Sequence, residues 1–275
     1  MRPKTIRQRR KLAFSVVLGV VVVTQLLACA GNPSRRYDAR AQALSLLQTE
    51  RRAGEFVLAV YDNRRPPGPA LHVYLEGDGS PWIAGTRIAD DPTARRPTAL
   101  ELLARDPEAG ILVGRPCYHG HARDQGCEGR LWTGARYGSQ VLDSLAAAIE
   151  AERTKRGIRQ LWLIGFSGGG ALAYLLAQRV SGVERLVTLG ANLDVDAWTS
   201  LHGYLPLAAS LNPANSQPLS ARIRQFHYLG EADRNVPPRL FPDRIRQTPE
   251  VVVRRLEGFD HGCCWVDVWP DLLYR

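Results

Sequence analysis

The sequence predicts an α/β domain built on a mostly parallel central sheet with helices on both faces. Two patterns carry this reading: seven short apolar runs recur along the chain, and helix-length segments separate many of them. Composition agrees, because 275 residues with 45% hydrophobic and 23% charged side chains suffice for one large domain with a buried core. Disordered and fibrous classes are set aside by that composition. No internal repeat and no second globular domain is marked.

The first element is a leader. "MRPKTIRQRRK" carries six basic residues and no acid, and "LAFSVVLGVVVVTQLLA" follows with 17 uncharged residues. A basic segment before a short apolar run is the pattern of an export signal. The run ends in "LLAC", which resembles the bacterial lipobox. That resemblance implies a signal peptide over residues 1–28, lipidation at Cys29, and a mature protein anchored at the bacterial cell envelope, facing the periplasm or the exterior. Retention of the run as a membrane anchor is the competing reading, since a spanning helix needs about 17–25 residues. Without residues 1–28 the formal charge falls from +9 to +3, with 30 basic residues against 27 acidic ones. The basic character belongs mostly to the leader, so nucleic acid is not an expected partner, whereas a membrane is, through the anchor.

Residues 29–54 read as a tether, "AGNPSRR", and a helix in "YDARAQALSLLQTERRAG", whose apolar residues recur at helical spacing. The main domain then spans 55–275. Its strand-like runs are "EFVLAVYD", "LHVYLEGDG", "AGILVGRP", "QLWLIGFS", "ERLVTLGAN", "QFHYLGEAD" and "EVVVRRLEG". The first two are joined by only a Pro/Gly-rich turn, which predicts an antiparallel start to the sheet. Helices are expected over 96–106, 138–156, 169–181 and about 236–247. Between about 192 and 222 a Pro-, Asn- and Ser-rich segment without a period reads as a small cap.

"GFSGG" places Gly165, Ser167 and Gly169 in a G-x-S-x-G pattern between a strand-like run and an Ala/Leu-rich helix. A strand, a sharp turn and a helix make a nucleophile elbow, in which the serine hydroxyl is displayed above the sheet. Here the chain resembles the α/β-hydrolase fold family, from about residue 55 to its end. The resemblance implies an acid after a later strand and a histidine after the last one. "FHYLGEADRNVP" offers Asp233, and "VVVRRLEGFDHGCCW" offers His261. Asp194, at the end of another strand-like run, is the second candidate acid, and Asp260 adjoins the histidine. The chemistry needs this set because a serine hydroxyl is a weak nucleophile until a neutral imidazole takes its proton, while the carboxylate fixes the tautomer. The resemblance also implies two oxyanion donors, the amides of Gly168 and Asp78, with Gly79 as the alternative second donor. Glu76 stands where the family often has histidine.

Four cysteines remain after Cys29: Cys117, Cys127, Cys263 and Cys264. In an exported protein an even number favours disulfides, with three possible connectivities, and at least one bridge from the 117–127 loop to the 263/264 pair is expected. "CYHGHARDQGC" gathers potential ligands but matches no standard zinc spacing, so neither a metal nor an organic cofactor is expected. The arginines Arg115, Arg123, Arg130 and Arg136 are candidates for attracting an anionic substrate. The functional expectation is a serine hydrolase cleaving a carboxylic ester, either a small-molecule or a lipid ester, through an acyl-enzyme. The alternatives are an acyltransferase or peptidase with the same three residues, or a non-catalytic envelope lipoprotein using the fold for binding.

Overall fold

The structure is a computed structural model that describes residues 31–274; the leader and Cys29 lie outside the described residues. An eight-stranded sheet forms its centre. The elements in chain order are α1 (Pro33–Ala43), β1 (Leu47–Ala53), β2 (Phe56–Asp62), β3 (Ala70–Leu75), β4 (Trp82–Ile83), β5 (Arg87–Ile88), α2 (Thr98–Arg105), β6 (Gly110–Val113), α3 (Ser139–Arg156), β7 (Gln160–Phe166), α4 (Gly168–Leu176), β8 (Val183–Leu189), α5 (Val195–His202), β9 (Arg224–Gly230), α6 (Asp243–Arg246) and β10 (Val251–Leu256). The sheet order is β1-β2-β6-β3-β7-β8-β9-β10, and β4 with β5 makes a separate small hairpin. From β6 to β10 all pairings are parallel, and β2 runs antiparallel to β6.

The central strands are buried along their whole length because both faces are covered. Every residue of β3 and of β6 is buried, so apart from His72, which pairs with Asp106, these strands read as continuous apolar runs rather than alternating ones. Within β3, Leu71, Val73 and Leu75 pack with α3 and α4, while Tyr74 points into the opposite layer with Leu100, Leu103, Trp265 and Trp269. The helix α4 is buried on all sides, which its "GGGALAYLL" sequence permits, having no charge anywhere. The helix α3 stops at Gly157, whose left-handed φ of 65° closes the last turn.

Four sequence expectations change. The helix expected to run on to residue 54 ends at Ala43, and Leu47–Ala53 becomes an edge strand paired with β2. Its pattern hides this, because six of its seven residues are exposed or half-exposed and three of them are charged. Such charges on an edge oppose pairing with another chain. The sheet does start antiparallel, as expected, but β2 pairs with β1 and β6 rather than with the next strand in sequence, since β6 inserts between β2 and β3. The helix expected over 236–247 is broken into a 3-10 turn at Pro238–Leu240 and the four-residue α6, as Pro237, Pro238 and Pro242 remove amide donors. The expected bridge between the two cysteine pairs is replaced by Cys117–Cys127 and Cys263–Cys264. Successive turns explain the first: the amides of Tyr118, His121, Asp124 and Cys127 each bond the carbonyl three residues back, coiling the segment until the Cys117 and Cys127 Cα atoms lie 5.5 Å apart.

Over the expected cap, α5 is helical, and the rest carries one 3-10 turn at Pro213–Asn215. The segment leans on the rim of the sheet: the Leu211 amide bonds the Tyr137 carbonyl, and His202 Nε2 bonds the Asn235 carbonyl.

Candidate active site

The carboxyl ends of the parallel strands converge on one edge of the sheet, where loops from different strands can meet. Ser167 sits there between β7 and α4 with φ 53° and ψ −124°, a conformation that L-residues rarely adopt. Close packing around it demands glycine. A Cβ on Gly165 would lie 2.3 Å from the Gly169 carbonyl oxygen, and one on Gly169 would lie 2.0 Å from the Leu75 carbonyl oxygen. Those neighbours are backbone and cannot swing aside. Gly169→Ala is therefore expected to destabilise the fold by about 3 kcal/mol or more, the upper end for overpacking, read as a lowered midpoint in urea denaturation.

The loop after β10 brings His261 to the serine. Its Nε2 lies 3.0 Å from Ser167 Oγ and its Nδ1 lies 2.8 Å from Asp233 Oδ2. With the neutral ring, Ser167 Oγ donates to Nε2 and Nδ1 donates to the carboxylate. Asp233 follows β9 and is buried; its other oxygen, Oδ1, accepts the amides of Asn235 and Val236, each at 2.8 Å. One carboxylate oxygen is thus tied to its own loop, and the other is left for the imidazole. The Phe166 ring, 5.2 Å from the His261 ring, and the Trp265 indole, which donates to the His261 carbonyl, hold the histidine loop in place.

The competing acids have other work. Asp194 caps α5, accepting the Ala197 amide at 3.1 Å and the Asn212 side chain at 3.2 Å. Asp260 is solvent-exposed and accepts the amides of Gly262 and Cys263.

Gly168 is the first residue of α4, so its amide is among those a helix leaves without an intrahelical acceptor. Asp78 lies directly against it: a Cβ on Gly168 would fall 1.9 Å from Asp78 Oδ1. The Asp78 side chain faces Arg115 Nη2 at 2.9 Å, Arg136 Nη1 at 3.0 Å and the Tyr137 hydroxyl at 2.7 Å, and its carbonyl accepts the Tyr118 hydroxyl at 3.0 Å. Among the described residues the Asp78 amide has no acceptor. Burial pushes the Asp78 carboxyl up, but attraction to Arg136 and Arg115 and the Tyr137 hydrogen bond outweigh it and hold the group below the ordinary aspartate range. Arg115 and Arg136 are only 3% and 4% exposed, so these two arginines, read from the sequence as attracting a substrate anion, are engaged inside the protein instead.

Glu76, one residue before the loop glycine, was not singled out by sequence as a ligand of the backbone. Its carboxylate accepts the amides of Gly77 and Ala99 and the Tyr37 hydroxyl, tying β3, the start of α2 and α1 together. No sequence signal marks this role, because the helix start that Glu76 meets lies 23 residues away at Ala99 and only the fold brings the two together. Burial lifts its carboxyl from 4.5 to about 7 despite those donors. Because the folded value exceeds the unfolded one, the stability this group contributes is full below about pH 4.5 and is lost as pH rises to about 7. The loss is on the order of 3 kcal/mol. Denaturation at pH 5 and pH 7.5 checks this, and Glu76→Gln is expected to flatten that part of the profile.

In the 117–127 loop, His119 is buried among Tyr37, Tyr61 and Tyr118, with Nδ1 3.1 Å from the Tyr61 hydroxyl, and His121 pairs with Asp124. Among the described residues no group of three or more His, Cys, Asp or Glu side chains could hold a metal ion.

No protein-family model and no curated protein matches the chain. Solved structures do. A serine hydrolase without a lid from Xanthomonas campestris is similar over 83% of this chain and 92% of its own, with 14% identity and a TM-score of 0.54. An esterase from Pyrococcus furiosus is similar over 83% and 87%, with 15% identity and a TM-score of 0.55. A bacterial membrane phospholipase A described as a virulence factor is similar over 96% and 98%, with 14% identity and a TM-score of 0.58.

Proposed function

From the α/β-hydrolase fold that this chain has, we propose that it is a serine hydrolase that cleaves a carboxylic ester through an acyl-enzyme. The observation that carries the proposal is the continuous hydrogen-bonded line from Ser167 Oγ through His261 to Asp233, mounted on a strained elbow. In this reading Ser167 Oγ attacks the ester carbonyl carbon as His261 Nε2 takes its proton, and Asp233 keeps the ring in the required tautomer and stabilises its cation. The tetrahedral oxyanion sits against the amides of Gly168 and Asp78, one such donor being worth about 2.7–4 kcal/mol. Collapse breaks the ester C–O bond, and the departing alkoxide takes the proton from His261. Water then repeats the sequence on the acyl-enzyme, releasing the acid and restoring Ser167.

The ester is a small-molecule or lipid ester, and the protein is anchored at the cell envelope through Cys29. Support comes from the basic and apolar leader ending in "LLAC" and from similarity to a protein named as a membrane phospholipase. Mixing the protein with a chromogenic short-chain ester is expected to give a burst of alcohol and an acyl mass increment on the peptide containing Ser167. Steady turnover without a burst or adduct, unaffected by Ser167→Ala, contradicts the proposal.

A further inference from the structure

Asp78 poses an electrostatic problem. Its carboxylate presses against Gly168, the residue whose amide would face the developing oxyanion, and an unpaired negative charge there opposes the formation of a second one. The structure surrounds that carboxylate with two buried cations. Arg136 holds Oδ2, Arg115 holds Oδ1 and also bonds the Glu76 carbonyl, and the Tyr137 hydroxyl reaches both oxygens. The Arg115 guanidinium lies 5.7 Å from both the Tyr118 and the Tyr137 ring centroids, while its Nε and Nη1 are buried without a hydrogen-bond partner among the described residues. Leaving donors unsatisfied in the interior is costly, and the cation is not needed to pair a lone carboxylate that Arg136 and Tyr137 already satisfy. Two guanidiniums and one carboxylate leave the cluster with a formal charge of +1.

We propose that Arg115 and Arg136 are positioning residues for acyl transfer: they pin the loop after β3 through Asp78, so that its amide faces the oxyanion, and keep the surrounding cluster net positive. This rests on the hydrolase reading. The side chain and carbonyl of Asp78 are both anchored, which leaves only its amide for a ligand. The motif residues of the elbow carry no trace of this requirement, since the three anchoring residues lie 37 to 59 positions beyond Asp78 and well before the elbow itself.

Neutralising the two charges singly and together tests this. Arg136→Gln makes the cluster neutral, Asp78→Asn makes it +2, and the double variant restores +1 while retaining the loop amide. With a chromogenic ester, Arg136→Gln is expected to lower kcat by roughly 100-fold with KM little changed, as expected for an interaction made in the transition state. Asp78→Asn alone is expected to cost less, and adding it to Arg136→Gln is expected to recover at least about 10-fold of the loss. Arg136→Lys, which keeps the charge and the fold if Arg136→Gln does not fold, is expected to stay within about 10-fold of wild type. With rates normalised to folded protein by circular dichroism, a merely structural arginine would lower the urea midpoint and leave kcat per folded molecule unchanged, since breaking a buried pair costs stability by leaving its partner uncompensated. Wild-type kcat in Arg136→Gln, or a double variant as slow as Arg136→Gln, overturns the proposal while the hydrolase reading stands. A wild-type protein that hydrolyses no ester and forms no adduct at Ser167 overturns both.

Discussion

Ser167→Ala and His261→Ala are each expected to lower kcat by roughly 10⁶-fold, and the double variant is expected to be no slower than either. The non-additivity follows from the geometry. Ser167 Oγ and His261 Nε2 are 3.0 Å apart and act on the same proton, so removing either leaves the other without a task. What remains over the uncatalysed rate, about 10³–10⁴-fold, is what binding and the oxyanion amides alone supply. Single-turnover kinetics on purified variants, with circular dichroism to verify folding, check the point. Two independent losses that multiply would show that the pair does not share a step.

Asp233→Asn is expected to cost about 10⁴-fold in kcat with the fold and KM nearly intact. Asp233 Oδ1 accepts two backbone amides, so an amide side chain would keep its oxygen there and turn its NH₂ toward His261 Nδ1. That donor forces the proton onto Nε2, the atom that must accept from Ser167. Asp194→Asn, by contrast, keeps a capping oxygen for α5 and removes only the charge at its N-terminus, so it is expected to leave kcat within about threefold while costing up to about 1 kcal/mol of stability. Comparing the two variants at one ester concentration series separates relay from capping.

The parallel sheet was legible because both faces of its central strands are buried, and burial on both faces writes itself as nearly continuous apolar runs such as "LHVYL" and "LWLIGF". Ser167, Asp233 and His261 stood out because each follows a strand, and strand ends share one edge of a parallel sheet. The edge strand β1 was illegible for the converse reason: with nearly every side chain in solvent, its sequence follows solubility rather than pairing. Strand order was also hidden, since β6 reaches its place between β2 and β3 through contacts that no local pattern records. The Asp78 cluster was missed because arginine normally signals an exposed side chain, and only the fold shows that Arg115 and Arg136 are buried around one carboxylate. The cysteine pairing turned on local coiling of the 117–127 loop, which Gly120 and Gly126, both at positive φ, make possible.

Labelling of the purified protein with a fluorophosphonate probe asks most directly whether Ser167 is an activated nucleophile. Rapid covalent labelling of the wild type at Ser167 is expected, with none in Ser167→Ala and a sharp fall in rate in His261→Ala. A folded wild type that resists the probe, or labelling that persists after Ser167→Ala, would contradict an activated Ser167.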